Sequence, residues 1–192
     1  SEMCIRDRES RYSAPSDWDC EVIHWGIDTS LFVPMHPDSE SETHSMNETR
    51  KKYGISDGGN MLLAVGRLAA RKGHGLLLRA FSKVAESTNS HLVIIGRGSL
   101  KGRLNRMSER LGISDRVTIE SGMGFEQISE MYRFSQLCVY PSYYEGQGLI
   151  PLEAMSSGIP VLTVNNGPLP EMVDETVGLS LIHISEPTRL AT

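Results

Sequence analysis

Cysteine is scarce in this chain, with three in 192 residues, and Cys4, Cys20 and Cys138 stand at wide, unrelated spacings. That excludes a zinc knuckle and a disulfide framework and makes a reducing compartment, the cytoplasm, the default address. Long apolar runs are missing too: aliphatic stretches such as Leu92–Ile95 fall far short of the about 20 residues that cross a bilayer. Positive charge is not in excess, since 19 lysines and arginines face 24 acidic residues for a net charge of -5. A nucleic-acid partner is therefore not expected. His24, His36, His44, His74 and His91 do not pair at metal-ligand spacing, so no metal is implied. No internal repeat is evident. What is present, 39% hydrophobic and 22% charged residues, suits one or two domains with an ordinary buried core.

Both ends read as foreign sequence. Ser1–Arg8 can be encoded TCG GAG ATG TGT ATA AGA GAC AGR, and the reverse complement in another frame gives Leu-Ser-Leu-Ile-His-Ile-Ser-Glu, the string at Leu179–Glu186. Both resemble translated transposon-end sequencing adapter, with Pro187–Arg189 continuing it. Residues 1–8 and 179–192, His183 among them, are accordingly set aside, and a truncated gene fragment is expected between. Within it, residues 9–45 read as a lead-in strand and linker, and 46–178 as a domain incomplete at its C-terminus.

Short β-rich runs alternate with amphipathic ones: Met61–Val65, Gly73–Ala85, Leu92–Ile95, Lys101–Leu111, Val117–Ile119, Phe125–Phe134, Leu137–Tyr140, Leu149–Ser156 and Val161–Val164. A helix between successive strands restores the chain direction each time. This predicts a doubly wound, Rossmann-like α/β fold, a parallel sheet with right-handed crossovers and helices on both faces. Upstream, Glu21–His24 reads as a further strand, Pro34–Ser45 as a polar loop or linker, and Arg50–Tyr53 as the close of a short helix that Gly54 ends. Ligands of such sheets gather at the carboxyl ends of the strands, near the point where strand order reverses. That edge should carry Gly66 and Arg67, Gly96–Gly98, Ser121 and Gly122, Pro141–Gly148 and Asn165–Pro170.

Two of these loops have the makings of a site. Glu145-Gly146-Gln147-Gly148-Leu149 leaves a strand through two glycines and enters a helix that carries Glu153. Glycines let backbone N–H groups approach a ligand, and a helix N-terminus favours an anion or a lone-pair oxygen. Glu145 would then face the reacting end of the ligand, and Glu153, about one and a half turns into the helix, could accept hydrogen bonds from vicinal hydroxyls such as those of a ribose. The alternative is a glycine-rich turn with two solvated glutamates. Arg67, Arg71 and Lys72 form a cationic loop between a buried strand and the next helix. A diphosphate would suit it: Arg67 offers a planar fork and Lys72 a point charge, and together they could stabilise a departing diphosphate without metal. A solvated basic loop is the alternative there.

Val65–Gly73, Gly96–Gly98 and Pro141–Val161 resemble the retaining glycosyltransferases of the GT-B fold, family 4 or group 1, whose E-x7-E signature is spelled from Glu145 to Glu153. Trp25-Gly26-Ile27-Asp28 through Phe32 is similar to that family's lead into its carboxyl-terminal, nucleotide-sugar-binding domain, so the likeness covers most of residues 20–178. The resemblance implies that Arg67 and Lys72 contact the donor diphosphate, Glu145 the donor sugar and Glu153 the ribose. Gly66, Gly96, Gly98 and the backbone of Gly146, Gln147, Gly148 and Leu149 would assist, with Gly167–Glu171 beside the sugar. It further implies a nucleoside-diphosphate sugar as donor and no other cofactor. An acceptor sugar, lipid or other hydroxyl compound would be held by an amino-terminal domain, with peripheral contact to a membrane face in the parent protein. Gln147 stands where the family often has an aromatic or aliphatic residue, and Trp25 where it often has asparagine. Without an acceptor domain, the chain itself is expected to bind nucleotide sugar weakly and transfer none.

A dinucleotide site is the rival reading. Gly96-Arg97-Gly98-Ser99-Leu100-Lys101-Gly102 after a strand spells a fingerprint variant, and Glu120, about 20 residues on, could hold a nicotinamide-cofactor ribose. That reading leaves the cationic loop and the paired glutamates unexplained. A non-catalytic sugar-nucleotide-binding module would share every donor-site residue. Asp17-Trp18-Asp19 reads as a loop, Ser142 lacks a nucleophile elbow, and His74, just beyond Lys72, could approach a phosphate but reads first as a surface residue at a helix start. Met123, Met131, Met155 and Cys138 read as core filling.

Overall fold

The computed structural model describes residues 25–36 and 38–173, and the backbone of 178–181. The expected strand Glu21–His24, the Asp17-Trp18-Asp19 triplet, Cys4, Cys20, His183 and residues 1–8 lie outside the described residues. Six strands, β1 (Asn60–Val65), β2 (Ser90–Ile95), β3 (Val117–Glu120), β4 (Leu137–Tyr140), β5 (Val161–Val164) and β6 (Gly178–Leu181), form one sheet in the order β3-β2-β1-β4-β5-β6. Every pairing is parallel, with Val65 opposite Ile95 and Leu63 opposite Cys138. The strand Gly178–Leu181 is not among those the sequence predicts, and it takes in Leu179–Leu181 from the segment set aside above.

Helices α1 (Glu40–Lys52), α2 (His74–Val84), α3 (Lys101–Arg110), α4 (Phe125–Phe134), α5 (Leu149–Ser156) and α6 (Leu169–Met172) flank the sheet. The alternation of β1 divides the core. Met61, Leu63 and Val65 face one side with Met131, Tyr132 and Phe134 of α4 and Ala154 of α5. Ala64 faces the other with Leu77, Leu78 and Phe81 of α2 and Leu104 of α3. A residue every second position in the strands, and every third or fourth in the helices, is what two-sided burial of a sheet demands. Cys138 and Met131 are buried in this core, and Met123 and Met155 pack against it. Burial pushes the Cys138 thiol up to about 12, so it stays a small hydrophobe.

The Pro34–Ser45 linker is corrected: it ends at Ser39, because α1 begins at Glu40. Ser39 accepts a hydrogen bond from the Glu42 amide, Glu40 and Glu42 occupy the first turn, and Arg50, Lys51 and Lys52 the last. Cap and charges therefore suit both ends of the helix dipole. No residue of α1 is buried, so there is no apolar period to read. Gly54, at φ +67°, follows the helix as expected. Among the described residues no helix is long and apolar enough to cross a membrane.

Candidate functional site

Strand order runs outward from β1 to β3 on one side and from β4 to β6 on the other, so it reverses between β1 and β4. The two loops leaving that point are the cationic and glycine-rich ones. After β1 the chain passes Gly66 and Arg67, makes a short 3-10 turn at Ala70–Lys72, and enters α2 through Gly73 in the left-handed region. After β4 it runs from Pro141 to Gly148, the N-cap of α5. Hydrogen bonds lace the loops together: the Tyr143 amide donates to the Arg71 carbonyl at 2.8 Å, and the Arg71 guanidinium donates to the Tyr144 carbonyl at 3.4 Å.

At their meeting point Lys72 donates to the Tyr140 hydroxyl at 2.8 Å and to Oε1 of Glu145, with each side chain of the ion pair 9% exposed. Ser142 Oγ donates to the same carboxylate oxygen. Burial raises the Glu145 pKa, but hydrogen bonds from Lys72, Ser142 and Tyr140 outweigh it and hold the carboxyl below its ordinary value. Burial and the neighbouring Glu145 carboxylate push the Tyr140 phenol up. Glu145 is thus a fixed anion and Lys72 a positioned donor. An ammonium has three N–H groups, so one remains after these two bonds. Arg67 is exposed at the same strand end.

The glycines divide into close contacts and open backbone. A Cβ on Gly96 would lie 2.9 Å from the Gly66 carbonyl carbon and closer to its oxygen, and one on Gly98 would lie 2.7 Å from the Leu68 carbonyl carbon. Both glycines are therefore required where the loop after β2 presses on the loop after β1, with the Leu68 amide bonded to the Arg97 carbonyl at 2.9 Å. Gly66 has the first turn of α5 beside it, a Cβ there lying 3.7 Å from Ile150. A Cβ on Gly167 would sit 3.8 Å from the Glu145 carbonyl, which brings the loop after β5 to the same crevice. Gly146 has nothing within 4 Å of its Cβ position, and Gly148 caps α5 at φ +86° with no side-chain cap. The Leu149 and Ile150 amides of the first turn have no partner within the helix, and Pro151 has no N–H at all. The Gln147 amide is already engaged: its Nε2 donates to the Trp25 carbonyl at 2.8 Å and its Oε1 accepts from the Trp25 amide at 3.1 Å.

Glu153 lies one turn deeper, where its Oε2 accepts from the Tyr132 hydroxyl at 2.9 Å. Burial pushes its carboxyl up, and the Tyr132 bond offsets only part of that. Ionised Glu153 therefore costs stability, absent below the ordinary value of 4.5 and growing as pH rises through the folded-state value. Glu153→Gln keeps an acceptor for Tyr132 and loses the charge. It is expected to unfold at higher urea than the parent chain at pH 7 and to match it at pH 4; a gain of equal size at both values would refute the assignment.

Three residues escaped the sequence reading. Tyr140 and Ser142 hold Lys72 and Glu145, and the only sequence signal was their position at the carboxyl end of a buried strand. His74 is corrected from surface to core: it is 3% exposed, beneath the loop after β1, and burial lowers its pKa. The Leu77 and Leu78 face of α2 turns its first residue inward as well. His91 is structural, bonded to Thr118 at 2.8 Å.

The family profile of the glycosyl transferases group 1 matches residues 45–191. The chain belongs to that family. It is 30% identical over 95% of its length to an uncharacterized glycosyltransferase of Methanocaldococcus jannaschii, of which it spans 45%. The C-terminal domain of a group 1 family glycosyl transferase from Francisella tularensis superposes with a TM-score of 0.66 at 24% identity, covering 81% of this chain and 80% of that one. The Anabaena protein HepE, solved in complex with UDP-glucose, gives 0.70 at 24% identity over 83% of this chain and 43% of its own. The sheet is thus the Rossmann-like half of a GT-B glycosyltransferase. The dinucleotide reading gives way to this group 1 assignment: Gly96 and Gly98 answer to backbone packing, and Glu120 pairs with Lys52 at 3.5 Å.

Proposed function

We propose that this group 1 chain is the donor-binding part of a glycosyltransferase that moves a hexosyl group from a nucleoside diphosphate to an acceptor hydroxyl, without metal and with retention of configuration. The observation that carries the reading is the Lys72–Glu145 pair at the reversal of strand order, a cation and an anion held in one crevice. The remaining Lys72 N–H and the Arg67 fork take the diphosphate, whose charge grows as the sugar departs; cations fixed in advance lower that barrier without reorganising. The free amides of Leu149 and Ile150 add the positive end of a helix. Glu145 orients the sugar hydroxyls and Glu153 the ribose. The backbone near Gly96, Gly98 and Gly167 closes the crevice. The chain spans under half of its Methanocaldococcus relative, and alone it is expected to bind donor and transfer no sugar.

Calorimetry with UDP, GDP, ADP and NAD tests this. One of the diphosphates should bind more tightly than NAD, and Arg67→Ala should weaken it by about tenfold, the worth of one charged hydrogen-bond pair. Because Arg67 is exposed, its loss should leave the unfolding midpoint unchanged. Unaltered diphosphate affinity in both Arg67→Ala and Lys72→Ala would remove the cationic loop from the site.

A further inference from the structure

We infer that Trp25, held in place by Gln147, is a sugar-stacking residue that sets specificity at the mouth of this crevice. The inference rests on the donor-site reading. Gln147 lies between Gly146 and Gly148, two positions from Glu145, yet its side chain reaches no ligand position of its own: both ends of the amide are bound to the backbone of Trp25, at 2.8 and 3.1 Å across 122 residues of sequence. The reciprocal pattern fixes which end is oxygen and which nitrogen. It fastens the chain segment leading into the domain to the tip of the glycine loop. What the clamp presents is the indole, which is 72% exposed. Burial of the indole does not account for such a clamp, because most of the residue stays in solvent.

The setting suits one kind of ligand. Gly146, in the chain between Glu145 and Gln147, leaves open space where a Cβ would stand. Tyr143 and Tyr144, at 45% and 73% exposure, precede Glu145 on the same loop, so three of the five exposed large hydrophobics among the described residues belong to this loop or to the segment clamped to it. A flat, rigid aromatic ring covers apolar area at little entropic cost, and its electron-rich face attracts C–H edges. A pyranose has that combination: an apolar C–H face for the indole and equatorial hydroxyls for a carboxylate. The ring is either the sugar of the donor or that of an acceptor.

Trp18→Phe leaves Trp25 as the only one of the two tryptophans, so its emission reports on this position. In that background the probes are UDP, GDP and ADP, their glucose conjugates, and methyl α-glucoside added to the chain saturated with diphosphate. A donor sugar on the indole changes the emission with the glucose conjugate beyond the change with diphosphate alone; an acceptor sugar does so with methyl α-glucoside. On whichever arm responds, Trp25→Ala should weaken binding about three- to tenfold while diphosphate affinity stays fixed. Trp25→Phe should recover most of it. Gln147→Leu, which keeps the indole and cuts the clamp, should lose part. Diphosphate binding with no sugar response on either arm, or with equal sugar affinity in Trp25→Ala, overturns the inference and spares the donor site. Absence of binding by every nucleoside diphosphate overturns both.

Discussion

Replacing Lys72 by alanine is expected to weaken nucleoside diphosphate binding by at least about tenfold and to destabilise the fold by about 2–3 kcal/mol. The second effect arises because the substitution strands Glu145, an anion whose side chain is 9% exposed, with no cation and only the neutral Ser142 and Tyr140 hydroxyls beside it. Each side chain of the pair keeps 9% exposure, so the loss falls toward the lower end of what a fully enclosed pair forfeits. Lys72→Met combined with Glu145→Gln removes both charges and should regain most of the stability, with none of the diphosphate affinity. That contrast separates a structural ion pair from a ligand-binding one. The pH dependence has a definite sign. Glu145 is held below 4.5 in the folded state, so its contribution is complete above that value and fades as pH falls through the folded-state pKa. Urea midpoints of the parent chain and the Lys72→Ala variant should therefore draw together below pH 4.5. A Lys72→Ala chain as stable as its parent at pH 7 would refute the pair.

The regular elements were legible wherever two-sided burial stamps a period on the sequence. Phe125–Phe134, Leu137–Tyr140, Leu149–Ser156 and Val161–Val164 stand as read, since each packs an apolar stripe or run against the sheet. Helix α1 has no buried residue, so only its caps and charge order mark it, and six of its residues read as linker. The site was legible as loops and not as contacts. Its glycines and charges fall after strands, which places them at one edge, but whether Lys72 meets Glu145 depends on β1 lying beside β4, a pairing of segments more than seventy residues apart. A separation of 68 residues hid Tyr140 as a partner of Lys72 in the same way. The G-x-G after β2 misled in the opposite way. Glycine there is needed by a neighbouring backbone, and a fingerprint written for a phosphate looks the same in sequence.

Gly73→Ala and Gly96→Ala should each cost more than about 3 kcal/mol, enough to leave little folded chain, for partly different reasons. At Gly96 the backbone is not left-handed, and the obstacle is steric alone: the new methyl meets the Gly66 carbonyl, a backbone group in the β1–β2 seam that has no rotamer by which to move aside. At Gly73 the methyl meets the Pro141 carbonyl, its carbon 2.9 Å away, and φ is +71°, so strain in the backbone adds to the clash. Relief at Gly73 means parting the loops that bring Lys72 to Glu145, and relief at Gly96 shifts the loop that carries Arg67 and Lys72, so whatever folded protein remains should have lost diphosphate affinity as well. Gly146→Ala is the control. Its methyl enters open space, so the unfolding midpoint should move within about 0.5 kcal/mol of the parent. If that space is where the sugar lies, the same methyl should reduce affinity for the glucose conjugate and leave the diphosphate alone. Circular dichroism melts beside calorimetry on the three variants would separate packing glycines from ligand-facing ones. A Gly96→Ala chain that melts with its parent would show that the two loops do not press together as described.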